Sequence, residues 1–524
     1  MKELYLITSG TVSILLGARI VAQLGPGAWL GEMAMLTGAV SSTTVLAETE
    51  VEAISVTQDD FLAAAEEDPT IFRQLAQALA QRLRSTDRML SEHQIGRVVL
   101  LWYEKTQTPL VEAILEECRR WAPVPLLVLW NDGAARGSAP TEYLAKPSLL
   151  AKLQREIEAG IPVALPAGDL DDPLLSPFLG LASQFAPLIV LAASEPISPT
   201  AMPRVTETIS LTNDPNVPAL AMSVLDVPHS AWNTGGGFDA GRIARAICRQ
   251  RIGLALGGGA SRGFAHLGVL KALQEARVPV DIVVGTSVGA AIAASIAAGE
   301  PLEEIAMSME TTGRAAMMPQ LVPAHSIFTS YFLETALKRR FRRMQFKDLA
   351  LPLGITAVDL DTAEELLFTS GRLVPALMAS MAVPGIFPPV RYEGRILVDG
   401  GLRVPVPSAA CRSIGADIVL ASRMRVEAEL SRSSDRTALP LMADSFTQAL
   451  DIMQDQIGVE TIGLADVAID TAIPRRFASL FDFRHRAFVE AAGERAAQDA
   501  LTQIYERVPG LRRPAVEAAT LRAA

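Results

Sequence analysis

Residues 280–300 read VDIVVGTSVGAAIAASIAAGE, and few architectures accept such a run. Val280 to Val284 is short, mostly apolar and β-branched, as in a strand buried on both faces. Ala290 to Ala298 is alanine-rich and reads as a helix. Between them stands Gly285-Thr286-Ser287-Val288-Gly289, one serine flanked by two glycines where strand becomes helix. One reading is a tight turn, with glycine supplying positive φ and serine starting the helix. The other is a nucleophile elbow. There a sharp turn lifts the serine hydroxyl out of the sheet, over a helix N-terminus that favours developing negative charge.

Two further stretches bear on that choice. RIGLALGGGASRGFAHLGVLKALQEA, residues 251–276, reads as strand, glycine loop and helix, with Phe264, Leu267, Leu270 and Leu273 on one side. No Gly-Lys-Ser/Thr closes the loop, so it is not a P-loop, and Arg262 stands where a dinucleotide fingerprint needs glycine. About thirty residues before Ser287, it can instead offer backbone N–H groups as an oxyanion hole. A serine hydroxyl also needs a base. In RYEGRILVDGGLRVPVP a strand-like run ends at Asp399-Gly400-Gly401, a pattern equally common in plain turns. Among the histidines, His266 sits inside the helix after the glycine loop and His325 in a Pro-rich loop. His485 follows Asp399, so a Ser–Asp–His order stays formally open.

The 524 residues suffice for three or four domains at roughly 150 residues each. A 49% hydrophobic, 20% charged composition suits packed domains rather than disorder. Residues 1 to about 62 read as short strands, LYLITSG, TVSILLG, RIVAQLG and TTVLAETEVEAISV, separated by glycine-bearing turns as in a small sandwich or barrel. From Phe61 to about Leu101 the apolar residues take helical spacing. Residues 96–245 are expected to form an α/β module, with apolar runs PLLVLW, IPVALP and APLIVLAAS and loops or linker around 195–237. From 246 to 425 strands and helices alternate as in a mostly parallel sheet. Residues 426–524 read as a helical extension that completes it.

The three motifs, in this order and spacing, resemble those of patatin-like phospholipases, together with the stretches LKALQEARVPVDIVVGTSVGA and ASMAVPGIFPPV. The resemblance implies a Ser–Asp dyad without histidine, with Ser287 as nucleophile and Asp399 as base. It implies an oxyanion hole at Gly257, Gly258, Gly259, Arg262 and Gly263, and structural turns at Gly285, Gly289, Gly400 and Gly401. It further implies hydrolysis of phospholipids or lysophospholipids, without metal or other cofactor. Two departures stand out. Ala260 and Ser261 replace a fourth glycine and an alanine in the loop, and Val404 replaces an asparagine before Pro405. If Ala260 takes positive φ, the strain costs about 1 kcal/mol.

GPGAWLGEMAMLTGAVSSTTVLA resembles the phosphate-binding cassette of cyclic-nucleotide-binding domains. Gly31, Glu32 and the apolar Met33 to Leu36 match, which makes Gly31 and Glu32 the candidate nucleotide contacts. Ser41 and Val40 occupy the arginine and proline positions, and a neutral hydroxyl cannot replace a bidentate cation. The resemblance also places the first strands of the usual barrel before Met1. Cyclic nucleotides are therefore not expected to bind, and the domain is left as a docking or homo-oligomerising surface. The rival reading is a cyclic-nucleotide-responsive regulatory protein whose hydrolase fold is non-catalytic.

A net charge of −11 argues against nucleic acid as a partner. Cys118, Cys248 and Cys411 lie in no metal or redox spacing and read as thiols of a reducing compartment. MKELYLITSG carries no export signal, and Val288 to Gly299 is too short for a span of about twenty residues. A cytoplasmic protein touching the inner membrane face without crossing it is the expectation.

Overall fold

The computed structural model describes residues 3–10, 12–16, 19–24, 29–30, 44–47, 51–57, 60, 97–103, 107–124, 126–131, 147–159, 163–166, 175–183, 186–193, 207–212, 229–233, 239–316, 326–427, 442–477 and 483–511. They fall into two compact units. Gly31, Glu32, His325 and the helical pattern of residues 61–96 lie outside the described residues.

The first unit opens with the expected short strands. Glu3–Ser9 pairs antiparallel with Trp29–Leu30 and Glu52–Thr57, and Val12–Leu16 pairs antiparallel with Arg19–Leu24 and Thr44–Ala47. A six-stranded sheet follows, in the order His229–Asn233, Glu207–Thr212, Arg97–Trp102, Leu188–Ala193, Leu126–Asn131, Val163–Pro166. It is larger than the three expected runs. The helical spacing expected to reach Leu101 gives way to an interior strand at Arg97–Trp102, because RVVLLW is a continuous apolar run that periodicity cannot assign. Glu207–Thr212 and His229–Asn233 are strands within the region read as loops and linker. Leu100, Phe178 and Leu191 are fully buried among the residues that hold this sheet to its helices.

The second unit carries the alternating pattern. Its elements begin with α1 (Thr108–Trp121), α2 (Ala240–Ile247), β1 (Ile252–Leu256), α3 (Phe264–Glu275), β2 (Ile282–Thr286), α4 (Val288–Ala297), α5 (Leu302–Ala316) and α6 (Tyr331–Phe341). Next come β3 (Leu353–Asp359), β4 (Glu365–Phe368), α7 (Leu373–Ser380), β5 (Val390–Tyr392), β6 (Arg395–Asp399) and α8 (Ser408–Ser413). The last are β7 (Ile418–Glu427), α9 (Met442–Ile462), β8 (Val467–Pro474) and α10 (Arg486–Arg507). The sheet runs β5-β6-β3-β2-β1-β7-β8, with β4 also on β3. Strands β3, β2, β1, β7 and β8 are mutually parallel, while β4 and β6 run antiparallel to β3. Every residue of β1, β2 and β3 is buried, as strands covered by helices on both faces require. Beyond β7 the described residues are mostly helical, in α9 and α10, but also supply β8, an alternating VAIDTAIP strand at the sheet edge.

Two contacts fix the frame around the site. Buried Arg245 forks onto Asp281, whose Oδ2 also accepts from Ile252 N at 2.9 Å, so one ion pair holds α2 against the starts of β1 and β2. Helices α3 and α10 cross at Gly268 and Gly493, where an added Cβ would strike the carbonyl of Glu490 or of Ala265. Among the described residues no helix is long and apolar enough to cross a membrane.

Candidate active site

Register alone brings two of the sequence motifs together. Thr286, the last residue of β2, pairs with Thr356 of β3, and the next residue of β3, Ala357, pairs with Asp399 of β6. The end of β2 at the elbow and the end of β6 at Asp399 therefore meet neighbouring residues of β3. The Thr286 hydroxyl meets that of Thr356 at 2.7 Å and donates to the Val404 carbonyl at 2.9 Å, locking the junction.

The elbow is strained as a nucleophile turn requires. Ser287 sits at φ 56°, ψ −124°, a conformation costing about 1–3 kcal/mol for a residue with a side chain. Surrounding structure holds it there. Ser287 N donates to the Ser380 hydroxyl at 2.9 Å, and Ser287 O accepts from Ala290 N at 2.9 Å. Gly289 is dictated by close approach, since a Cβ there would run into the Leu256 and Gly257 carbonyls. Gly285 is likewise closed in by the backbone of Gly289 and Ala290.

Asp399 is 1% exposed. Its Oδ1 accepts from Gly401 N at 2.7 Å, whereas Oδ2 is buried without a completed hydrogen bond. Burial pushes the carboxyl up to about 6, against the lowering influence of the Ser287 side chain and the Gly401 amide. Catalytic hydrogen bonds are often long in a free enzyme and tighten in the substrate complex. Gly400 packs on the Thr356 main chain, leaving no room for a side chain between β3 and the turn.

The glycine loop lies against the elbow, with Gly258 facing the Cβ of Ser287. Its amides divide into two sets. Gly257 N donates to Ser422 O and Gly258 N to Pro405 O, each at 3.0 Å, and Arg262 N donates to Gly259 O at 3.1 Å. Those three amides hold the loop to its neighbours. Among the described residues no acceptor engages the amides of Gly259, Ala260 or Val288, and all three residues line the cavity. Ala260 takes φ 50°, the strained conformation anticipated from its sequence. Gly263 lies not at the cavity but against Val288, whose methyl group a Cβ would meet at 2.8 Å.

Arg262 acts through its side chain. Buried, it donates from Nε to Gly259 O at 3.2 Å and from Nη2 to Asp451 at 2.7 Å, tying the loop to α9. His266 is also buried, bonded through Nδ1 to Ser422 and through Nε2 to Gly257 O, and burial pushes it down to about 4. It is a prop under the loop. His485 occupies the N-cap position of α10 and meets Phe477 edge-on, and is not among the residues lining the cavity. Sequence reasoning missed Ser380, Asp451 and Gln454, the last a cavity residue packed against Gly401. Ser380 lies inside the quoted ASMAVPGIFPPV without any motif of its own, and the other two come from α9, over 150 residues beyond the elbow.

Ser287 and Asp399 open into one cavity, continuous with solvent. Its walls are mainly apolar, from Met309, Leu333, Leu337, Ile386, Phe387 and Phe483. Apolar walls of this kind suit a hydrocarbon chain. Among the described residues no group of three or more His, Cys, Asp or Glu is placed to hold a metal ion.

Residues 254–410 match the family model of patatin-like phospholipases, and residues 1–68 that of the cyclic nucleotide-binding domain. Lysophospholipase NTE1 of Pyricularia oryzae is 32% identical over 189 residues, 35% of this chain and 13% of that protein. Patatin-like phospholipase domain-containing protein 6 of Homo sapiens is 35% identical over 218 residues, 40% of this chain and 15% of that protein. The match thus spans less than a fifth of either relative. Among solved structures, VipD from Legionella pneumophila aligns over 48% of this chain and 67% of its own, at 13% identity and TM-score 0.30.

Proposed function

We propose that the patatin-like phospholipase domain of this chain hydrolyses carboxylic esters of phospholipids or lysophospholipids through Ser287 and Asp399. The observation that carries the reading is the strained Ser287 turn beside a buried carboxyl whose second oxygen is unengaged, at the head of an apolar cavity. Asp399 takes the proton of Ser287 Oγ as that oxygen attacks the ester carbonyl. The amides of Gly259, Ala260 and Val288 stabilise the tetrahedral oxyanion, and the N-terminus of α4 adds its dipole. Collapse breaks the ester C–O bond, and protonated Asp399 gives its proton to the departing alcohol. Water then attacks the acyl-serine with Asp399 again as base, releasing the fatty acid and restoring Ser287. A carboxyl held at about 6 is ionised at neutral pH yet basic enough to share a proton with the serine.

On this reading the N-terminal domain does not sense cyclic nucleotides, because Ser41 stands where an arginine would pair with the phosphate. The protein works at the surface of lipid aggregates. The test is a fluorophosphonate probe with a parallel ester assay. The wild type is labelled and active, and Ser287→Ala loses both while keeping its circular dichroism. Labelling that persists in Ser287→Ala would overturn the assignment and favour a non-catalytic regulatory role.

A further inference from the structure

Helix α6 has two unlike faces. Leu333, Ala336, Leu337 and Arg340, spaced for one side of a helix, line the catalytic cavity. The opposite side carries Tyr331, 64% exposed, with Lys338, Arg339 and Arg342 exposed further along. Arg342 caps the helix at φ 46°, and exposed Arg343 and Lys347 follow at once. From 338 to 347 the chain reads KRRFRRMQFK, with six cations and no acid.

Most of these charges are unspent. Arg340 is bound to Glu300, and Lys338 pairs with Glu334. Among the described residues no carboxylate pairs with Arg339, Arg342, Arg343 or Lys347. A helix C-terminus attracts cations through its dipole, and Lys338, Arg339 and Arg340 would satisfy that by themselves. Arg342 is itself the C-cap, whereas Arg343 and Lys347 lie past the helix end, where the dipole effect falls off. In a chain of net charge −11 they form a local reversal of sign.

We infer that the outer face of α6 and the segment through Lys347 dock the enzyme on anionic phospholipid bilayers. The inference rests on the lipid-hydrolase reading, since it puts a wall of the cavity at the surface that holds the substrate. Charge complementarity selects the occupant. A cluster of four to eight Lys/Arg binds anionic headgroups at roughly a fivefold gain per charge. Tyr331 supplies an amphipathic ring at headgroup depth.

The test is sedimentation of the full chain with phosphatidylglycerol-containing vesicles, with pure phosphatidylcholine vesicles and with duplex DNA. The wild type partitions onto the anionic vesicles, and raised salt releases it. The triple variant Arg339→Gln, Arg342→Gln, Arg343→Gln loses about two orders of magnitude of that partitioning. Its turnover of a soluble short-chain ester stays at the wild-type level, which also reports that it is folded. Unchanged vesicle binding in this variant, equal binding to neutral vesicles, or retention on DNA alone would overturn the inference. Ester turnover without vesicle binding refutes the docking surface and leaves the hydrolase standing. Vesicle binding without any Ser287-dependent turnover does the reverse.

Discussion

Replacing Asp399 by Asn should abolish hydrolysis and, at alkaline pH, make the protein more stable. The carboxyl is buried, with one oxygen held by Gly401 N and the other without a completed hydrogen bond. Its rise from 3.8 to about 6 already contains the favourable influence of Gly401 and Ser287, and so represents the net penalty of the charged form. A rise of that size is worth about 3 kcal/mol between the two protonation states. Because the folded value lies above the unfolded one, the stabilisation from proton binding is complete below about 3.8 and is lost as pH climbs through about 6. Asn has no such proton to lose. Thermal unfolding followed from pH 4 to pH 8 should show wild type and Asp399→Asn together at the acid end. They should diverge over pH 4–6.5 until the variant melts several degrees higher, at about 2–4 °C per kcal/mol. In parallel, wild-type kcat/KM should rise with pH through about 6, as the free base ionises. A variant less stable than wild type at pH 8, or one that still turns over ester, would refute the reasoning.

Arg262→Ala should lower kcat with little change in KM, by up to the ~10²–10³-fold that a lost oxyanion donor costs, because its Nε–H fixes the Gly259 peptide. Asp451→Asn should show a milder version in the same assay, and unchanged kinetics in both would put the oxyanion hole elsewhere. His485→Ala should keep most of the ester turnover, whereas a loss matching Ser287→Ala would establish a triad. Calorimetry with cyclic AMP and cyclic GMP should show no binding at micromolar ligand, since one missing charged hydrogen bond weakens affinity roughly ten- to a hundredfold. A micromolar dissociation constant coupled to a change in esterase rate would make the domain a sensor.

The candidate site was legible because its signals are local. A buried β-branched run, a glycine-flanked serine and an alanine helix can be read within 21 residues, and the Gly-rich and Asp-Gly-Gly turns are equally short. Register did the rest, and no sequence pattern announces that Ala357 will pair with Asp399. The division of labour among the glycine-loop amides was also invisible. It depends on where the carbonyls of Pro405 and Ser422 arrive from elements more than 140 residues away. RVVLLW became a strand only through its neighbours in a sheet, since a short continuous apolar run fits helix or strand when read alone, whereas VAIDTAIP carried a strand alternation that the helical reading of the tail passed over.

The crossing of α3 and α10 sets an order of events during synthesis. The helix that begins at the end of the glycine loop lies backbone to backbone on residues near 490, with Gly268 and Gly493 leaving no gap between them. Elbow, loop and Asp399 are all translated long before that partner emerges from the ribosome. Until it docks, α3 keeps an apolar flank open to solvent and the loop it anchors has no fixed floor. A nascent chain therefore carries Ser287 and Asp399 with the glycine-loop amides beside them unfinished, until the distal helix closes the fold.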